Sequence, residues 1–189
     1  MEHILEIAGT IVGVVYLWLE LRASRYLWIA SIIMPAIYLV VFYDAGLYAD
    51  TAINIYYLAI ALYGWIAWRG SSEGKQLPIT HASKRVWAAM AGVYIATQLL
   101  FSALLHYFTD SDVVWFNGLT SALSVVGMWM LARKYVEQWI VWIAVDILSA
   151  ALYCYKGLYP TAALYAAYAV IAIFGYRKWR QIMKTQDAN

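Results

Sequence analysis

The chain has 189 residues, of which 65% are hydrophobic and only 13% are charged, and its formal net charge is +2. A soluble domain cannot build its polar surface from such a composition, so the sequence indicates a membrane protein. The single cysteine, Cys154, excludes an internal disulfide and a cysteine metal cluster, and we expect it to be buried as a small hydrophobic residue.

Seven apolar stretches are long enough to cross the membrane, because a helix needs about 17–25 residues to span about 30 Å of hydrocarbon. No cleavable signal peptide is recognised before the first stretch, which we expect to be a retained helix. The only long polar stretch, residues 69–85, is predicted to be a surface linker. The predicted helices cover residues 4–21, 26–42, 50–68, 86–107, 113–131, 139–155 and 159–176.

The basic residues lie almost entirely on one side of the predicted membrane. Of the 13 lysines and arginines, 12 follow helices one, three, five and seven, and only Lys156 lies on the opposite side. Because basic residues concentrate in cytoplasmic loops, the N-terminus is predicted outside and the C-terminus in the cytoplasm.

The sequence contains an internal repeat. Residues 14–69 align with residues 125–180 without a gap at a constant offset of 111 positions, and 17 of the 56 aligned pairs are identical. Chance similarity of apolar helices seldom matches tryptophan, arginine and glycine in one register. The most telling identities are Trp18/Trp129, Arg22/Arg133, Trp28/Trp139, Gly64/Gly175, Trp68/Trp179 and Arg69/Arg180.

Each repeat contains three helices, and the fourth helix is needed between them to keep both copies in the same orientation. The predicted fold is therefore an all-α membrane protein of seven helices, arranged as three plus one plus three with parallel repeats. The expected division is a first bundle over residues 1–69, a cytoplasmic linker and inverter helix over 70–110, and a second bundle with a cytoplasmic tail over 111–189. Such repeats are typical of transporters that bind substrate near the midplane.

Positions that differ between the two copies are candidates for function. Trp142 is matched by Ser31 and Asp146 by Pro35, and both lie one turn apart near the middle of helix six. A carboxylate at that depth is costly and marks a functional site by default, although a protonated aspartate bonded to a neighbouring helix is the alternative. Trp139 matches Trp28, so it is either an interfacial anchor or part of the same site.

Other polar side chains could join this site, although each alone could equally be a helix-packing contact. Asn54 and Tyr57 share one side of helix three, and Asn54 is the stronger candidate because its match is Tyr165. On helix five the candidates follow one stripe: Asn117, Ser121, Ser124 and Met128. An aromatic surface beside a carboxylate suits a flat cation, and the residues predict an aromatic substrate that is cationic or neutral.

Several classes of protein lack support in the sequence. No P-loop is present, and His3, His81 and His106 are too far apart for a zinc site. One central carboxylate is too few for an intramembrane enzyme or for a proton relay. We therefore expect no catalytic residue, metal, cofactor or nucleic acid partner, and predict uniport without ion coupling. A membrane assembly subunit that does not transport is the remaining rival.

Three segments resemble the PnuC family of vitamin transporters, and the similarity runs from about Arg22 onward. The segments are ARKYVEQWIVWIAVD, YKGLYPTAALYAAYAVIAIFGYRKW and DTAINIYYLAIALYGWIAW. The WxxW element of the family falls on Trp139 and Trp142, and its YGWxxW element falls on residues 63–68.

This resemblance implies a SWEET-like fold, a homotrimer in the bacterial inner membrane, and facilitated diffusion of a water-soluble vitamin that a cytoplasmic kinase then traps by phosphorylation. The branches of the family carry nicotinamide riboside, thiamine or riboflavin. The nicotinamide riboside branch is expected to have glutamine near Met128 and at the position of Asn54, and this sequence has neither. The resemblance therefore favours thiamine, with nicotinamide riboside or riboflavin as the alternative.

Overall fold

The computed structural model describes residues 14–44, 48–69, 77–108 and 114–187. These ranges form seven helices, and apart from one β-bridge between Thr80 and Tyr135 they contain no strand. The predicted all-α class is therefore confirmed. The helices are α1 (residues 14–21), α2 (Leu27–Asp44), α3 (Tyr48–Trp68), α4 (Lys84–Phe108), α5 (Val114–Ala132), α6 (Gln138–Tyr155) and α7 (Tyr159–Asp187).

Among the described residues, four helices are long and apolar enough to cross a membrane, and two further apolar helices are shorter. The four are Thr51–Trp68, Lys84–Ala103, Gln138–Tyr155 and Tyr159–Gln186, and the shorter two are Leu27–Val40 and Gly118–Ala132. Each helix satisfies its backbone hydrogen bonds internally, which the hydrocarbon interior of a bilayer demands. The outer surface is correspondingly apolar, with side chains such as Ile37, Ile66 and Ile147 more than half exposed to the surroundings.

Helix α7 extends beyond its predicted end at Tyr176 and continues to Asp187. The prediction stopped where the apolar run stops, yet the basic residues that follow are good helix formers. Trp179 and Met183 are buried in this extension, with Trp179 fully covered. The helix therefore continues because two apolar side chains pack along it after it has left the apolar segment.

The expectation that Cys154 is buried is wrong, because Cys154 is exposed in the last turn of α6. In a membrane protein the outer surface of a helix can face lipid, where a small apolar thiol is as well accommodated as in a core. Helix α6 ends just after it, at Tyr155, and is followed by Gly157, whose φ of 72° lies in the left-handed region that glycine adopts without strain.

The chain divides into two compact units, Met1–Leu77 and Pro78–Asn189. Within the first unit α2 packs against α3, and within the second α4 packs against α5, α5 against α6, and α6 against α7. Helix α4, the predicted inverter, thus belongs to the same compact unit as the three helices that follow it. The predicted three-part division at residues 69/70 and 110/111 stays a prediction.

The turn between the first two helices of each repeat has the same hydrogen bonds in both copies. Ala23 donates to the Glu20 carbonyl at 2.9 Å, and its match Lys134 donates to the Leu131 carbonyl at 2.9 Å. Both residues adopt a left-handed conformation, with φ values of 49° and 53°. The sequence repeat is therefore a repeat of local backbone structure as well.

A tryptophan packs on a glycine in each repeat in the same way. The Trp28 indole meets Trp68 edge to face with ring centroids 5.4 Å apart, and the Trp139 indole meets Trp179 at 5.7 Å. A Cβ added to Gly64 or to Gly175 would lie under 3.0 Å from the tryptophan ring beside it. These glycines let the second and third helices of each repeat approach closely.

In the last part of the polar linker, residues 79–82 are docked on the α5–α6 turn. Ile79 is buried, and Thr80 exchanges backbone hydrogen bonds with this turn, to the Lys134 carbonyl and from the Val136 amide. The Glu137 carboxylate accepts a hydrogen bond from the Ala82 amide at 2.9 Å and pairs with His81 at 2.6 Å. This part is anchored surface structure, and the rest of the predicted linker, residues 70–76, lies outside the described residues.

Candidate functional site

Two functional candidates of the sequence, Trp142 and Asp146, lie one turn apart on α6. Trp142 is half-buried and packs against a core cluster that includes Val126 and Val141. Its indole lies against Gly127 of α5, where an added Cβ would be 3.2 Å from the Cε2 atom of the ring. The Nε1–H group is buried and has no acceptor among the described residues. The Nε1–H groups of Trp28 and Trp139 are likewise buried without an acceptor among the described residues.

Asp146 is buried, with only 8% of its surface exposed. Among the residues that the structure describes, no hydrogen bond or ion pair to this carboxylate is found. The alternative, an aspartate bonded to a neighbouring helix, stays open, because Asp146 interacts electrostatically with Tyr165 of α7. A buried carboxylate without a partner is costly, and such groups in membrane helices line substrate or ion pathways.

Three tyrosines form an aromatic cluster near Asp146. The rings of Tyr153 and Tyr165 are stacked with centroids 5.2 Å apart, and Tyr168 meets Tyr165 edge to face at 5.9 Å. The charge of Asp146 acts on the hydroxyl of Tyr165, which is also hydrogen-bonded to Tyr153. The tyrosines bring α6 and α7 together beside the carboxylate and extend the aromatic surface beyond Trp142.

The sequence reasoning missed this tyrosine cluster, although a signal was available. Tyr165 and Tyr168 are the matches of Asn54 and Tyr57, the two residues chosen on α3. Asn54 was chosen because its match in the second repeat is a different residue, and the same difference makes Tyr165 an equally strong candidate. Tyr153 had no comparable signal, because its approach to Tyr165 depends on how α6 packs against α7.

The four candidates on α5 differ in their surroundings. Ser121 is half-buried, and Met128 is buried with 9% of its surface exposed. Ser124 donates to the Thr120 carbonyl at 2.8 Å, a bond within its own helix. The side chain of Asn117 lies outside the described residues, although its backbone belongs to α5.

Asn54 and Tyr57 belong to the first unit. Asn54 is buried and has a polar partner, and Tyr57 is half-buried beside Tyr56 with ring centroids 5.7 Å apart. These contacts lie within α3 and its unit, and the participation of the two residues in substrate binding stays a prediction.

Trp139 is covered by neighbouring side chains, with only 2% of its surface exposed. An interfacial anchor needs its ring at the outer surface, so the interpretation of Trp139 as an aromatic-belt residue is wrong. The ring packs on Gly175 and Trp179, as Trp28 packs on Gly64 and Trp68. Its role is to join α6 to α7, and a direct contact with substrate stays a prediction.

The chemistry available on this side of α6 is that of binding. It combines the N–H donor of Trp142, which has no acceptor among the described residues, the buried carboxylate of Asp146 and the aromatic rings of the tyrosine cluster. The described residues contain no group of three or more residues that could hold a metal ion. A flat solute with positive charge would satisfy all three kinds of group, because its ring can stack while its charge meets the carboxylate.

Comparison with known proteins shows which proteins this chain is similar to. A family model described as nicotinamide mononucleotide transporter matches residues 3–181. The chain is 24% identical to the nicotinamide riboside transporter PnuC of Escherichia coli, over 93% of this chain and 84% of that protein. It is 27% identical to the riboflavin/roseoflavin transporter RibM of Streptomyces davaonensis, over 94% of this chain and 86% of that protein.

A solved structure has the same fold. The crystal structure of the vitamin B3 transporter PnuC superimposes with a TM-score of 0.67 at 21% sequence identity, covering 93% of this chain and 80% of that one. The family model spans nearly the whole chain, including both repeats and the helix between them. The chain therefore belongs to the nicotinamide mononucleotide transporter (PnuC) family, and it is a membrane transporter of vitamins rather than an enzyme.

Proposed function

We propose that this protein transports a cationic aromatic vitamin, and that thiamine is its substrate. The observation that carries the proposal is the buried carboxylate of Asp146, which has no hydrogen bond or ion pair among the described residues and lies one turn from the Trp142 indole, whose N–H has no acceptor there. An anion in this environment is stabilised best by a substrate that brings positive charge with it. Thiamine carries a permanent charge on its thiazolium ring and an amino group on its pyrimidine ring that can donate to a carboxylate.

The three vitamins of the family differ in how well they suit this site. Riboflavin has no cationic ring, so it would leave the Asp146 charge uncompensated. Nicotinamide riboside is a cation and fits the carboxylate, and the name of the Escherichia coli relative makes it the second candidate. The absence of glutamine at Met128 and at Asn54 counts against it. Thiamine combines positive charge with a hydrogen-bond donor and requires neither glutamine.

We further propose that transport is facilitated diffusion by a uniporter. Only one carboxylate lies at midplane depth in α6, and proton relays are usually chains of ionisable groups. A uniporter equilibrates its substrate across the membrane and cannot concentrate it. Net uptake then requires a chemical step in the cytoplasm, and phosphorylation by a vitamin kinase would supply it, because the charged product no longer fits the site.

The proposal includes an architecture and an orientation. The matched turns and the matched Trp–Gly packing support a repeated three-helix unit. We propose that the two copies are parallel and joined by α4 in a SWEET-like arrangement. The distribution of 12 of the 13 basic residues supports an outside N-terminus and a cytoplasmic C-terminus in a bacterial inner membrane. A homotrimer is proposed from the resemblance to the family.

The substrate is tested by binding and by counterflow with the purified protein. Thiamine, nicotinamide riboside and riboflavin are titrated in detergent, and liposomes loaded with unlabelled thiamine are then supplied with labelled thiamine outside. We expect the tightest binding for thiamine and a transient entry of label. Tighter binding of nicotinamide riboside would make that vitamin the substrate, and absence of binding by all three would reject the proposed class of substrate.

Ion coupling is tested in the same liposomes without internal substrate. An imposed proton or sodium gradient should leave the final internal thiamine concentration equal to the external one. An internal kinase with ATP should raise total internal label above that level. Accumulation driven by a gradient alone, and lost in Asp146→Asn with thiamine binding intact, would reject uniport and make Asp146 the coupling residue.

The orientation is tested by cysteine labelling in intact cells, after Cys154 has been replaced by serine. A cysteine at Ser71 or Ser72 should resist a thiol reagent that does not cross the membrane, and a cysteine at Asp110 should react with it. Both should react in cells made permeable by detergent. The reverse pattern in intact cells would contradict the proposed orientation.

A further inference from the structure

The indole of Trp142 fits against α5 because residue 127 is a glycine. A Cβ at this position would lie 3.2 Å from Cε2 and 3.4 Å from Cζ2 of Trp142. The Cε2 atom is bonded directly to Nε1, so Gly127 contacts the ring edge that bears the unpartnered N–H group. A methyl group at residue 127 would therefore press on this edge of the ring.

In the matched pair of the first repeat, the large and the small residue have exchanged helices. The match of Gly127 is Tyr16 on α1, and the match of Trp142 is Ser31 on α2. Tyr16 is hydrogen-bonded to Ser31, and the Ser31 hydroxyl donates in turn to the Leu27 carbonyl at 3.1 Å. In the first repeat the large side chain comes from the first helix, and its polar group is satisfied within the protein.

In the second repeat the large side chain comes from the second helix of the bundle. Gly127 supplies the space, Trp142 fills it, and the polar group of Trp142 has no partner in the described part of the chain. Both pairs combine one aromatic and one small residue, so each fills the space between its two helices. The helices can therefore pack in both repeats. The repeats differ in which helix carries the aromatic ring, and in whether the polar group of that ring has a hydrogen-bond partner among the described residues.

We propose that Gly127 is a positioning residue for substrate binding, which holds the indole of Trp142 so that its N–H donor faces the substrate. This inference rests on the proposed function, because it gives Trp142 a direct substrate contact. A purely structural role would require only that the ring fit between the helices. A positioning role requires that a displacement of a few tenths of an ångström alter affinity in a fully folded protein.

The test is a double-mutant cycle of Gly127→Ala and Trp142→Phe, with thiamine as the probe in binding titrations. Gly127→Ala should raise the Kd for thiamine by about fivefold or more, the size expected when one hydrogen bond is weakened. Trp142→Phe should also raise it, because phenylalanine has no N–H donor. The double variant should have no higher Kd than Trp142→Phe alone, since the smaller ring leaves room for the methyl group. Gly92→Ala on α4 is the matched control, because a Cβ at Gly92 meets nothing within 4 Å.

The outcomes separate this inference from the proposed function. If Trp142→Phe raises the Kd while Gly127→Ala lowers only the melting temperature, Trp142 remains a substrate contact and the positioning role is rejected. If Trp142→Phe leaves the Kd unchanged, both the substrate contact and the positioning role are rejected. Additive effects in the double variant would also overturn the proposal, because they would show that Gly127 acts without Trp142. If thiamine does not bind the wild-type protein, the cycle is run with whichever of nicotinamide riboside and riboflavin binds.

Discussion

The α2–α3 pair and the α6–α7 pair are built from the same packing contacts but present different chemistry. Trp28, Gly64 and Trp68 in the first pair reproduce the contacts of Trp139, Gly175 and Trp179 in the second. One turn further along, the first pair has Ser31 where the second has Trp142, and two turns further along it has Pro35 where the second has Asp146. Contacts that both copies share maintain the fold, and residues that only one copy has are available for binding.

The strongest way to break this comparison is to remove what the two pairs share. Gly64→Ala and Gly175→Ala should both prevent correct folding, because the new methyl group would lie under 3.0 Å from a buried indole. Overpacking of this kind costs ~1–3 kcal/mol or more. The measurement is the yield of monodisperse protein in detergent and its melting temperature. Gly92→Ala should behave as the wild type, and a normal yield for one of the two variants would show that the pairs are not equivalent.

The comparison is sharpened next by changing the carboxylate that only the second pair has. Asp146→Asn keeps the size of the side chain and removes its charge, so affinity for a cationic vitamin should fall about 10- to 100-fold, the equivalent of ~1.5–3 kcal/mol for a charged hydrogen bond. Binding titrations with thiamine measure this loss. Riboflavin, which has no cationic ring, provides the control, and an equal loss for both vitamins would contradict an electrostatic role for Asp146.

A third prediction concerns the indole that only the second pair has. Trp142→Ala should weaken substrate binding about tenfold, because stacking on an aromatic side chain contributes ~1–3 kcal/mol. Ser31→Ala at the matched position should leave affinity unchanged. Trp28 is unsuitable as the control because it is fully buried, and its replacement would disturb folding. Equal affinity in folded Trp142→Ala and wild-type protein would remove Trp142 from the site.

The smallest expected effect concerns the matched turns, where the first copy has Ala23 and the second Lys134. Burial lowers the pKa of Lys134 from 10.5 to about 8, and the turn lies outside the membrane-spanning segments. Between these two values the unfolded chain binds more protons than the folded one, so the folded state gains stability as the pH rises through this window. Below pH 8 the burial cost of the charged amine is fully present.

Replacing Lys134 with alanine copies the residue of the first turn and should remove this pH dependence. The melting temperature of the variant relative to the wild type should decrease steadily from pH 7.5 to 10.5, by about 2–4 °C for each kcal/mol of burial cost that is relieved. Thermal melting of both proteins in the same detergent measures the difference in melting temperature. All other titratable groups are the same in the two proteins, so their contributions cancel in this difference. A difference that does not change with pH would contradict the burial argument.

Much of the fold could be predicted because a bilayer imposes strong constraints on sequence. The predicted ends of the helices from Leu27 to Tyr155 lie within a few residues of the observed ones, since hydrocarbon thickness sets the length of an apolar helix. The end of α7 could not be predicted in this way, because beyond Tyr176 the helix is stabilised by the packing of Trp179 and Met183. The exposure of Cys154 could not be predicted because in a membrane both the buried side and the lipid-facing side of a helix carry apolar residues. An apolar residue type therefore does not show which side it lies on.

The sequence by itself determined the membrane location, the helical class, the repeat and the two residues that break it on α6, because each depends on composition or on residue spacing along one helix. Only the tertiary structure decided that Trp139 is a packing residue, that Tyr165 lies near Asp146, that Gly127 borders the indole of Trp142, and that residues 79–82 are docked on the α5–α6 turn. These contacts join residues of different helices or loops. Their distances depend on the relative rotation and approach of those elements, which the repeat of 3.6 residues along a single helix does not specify.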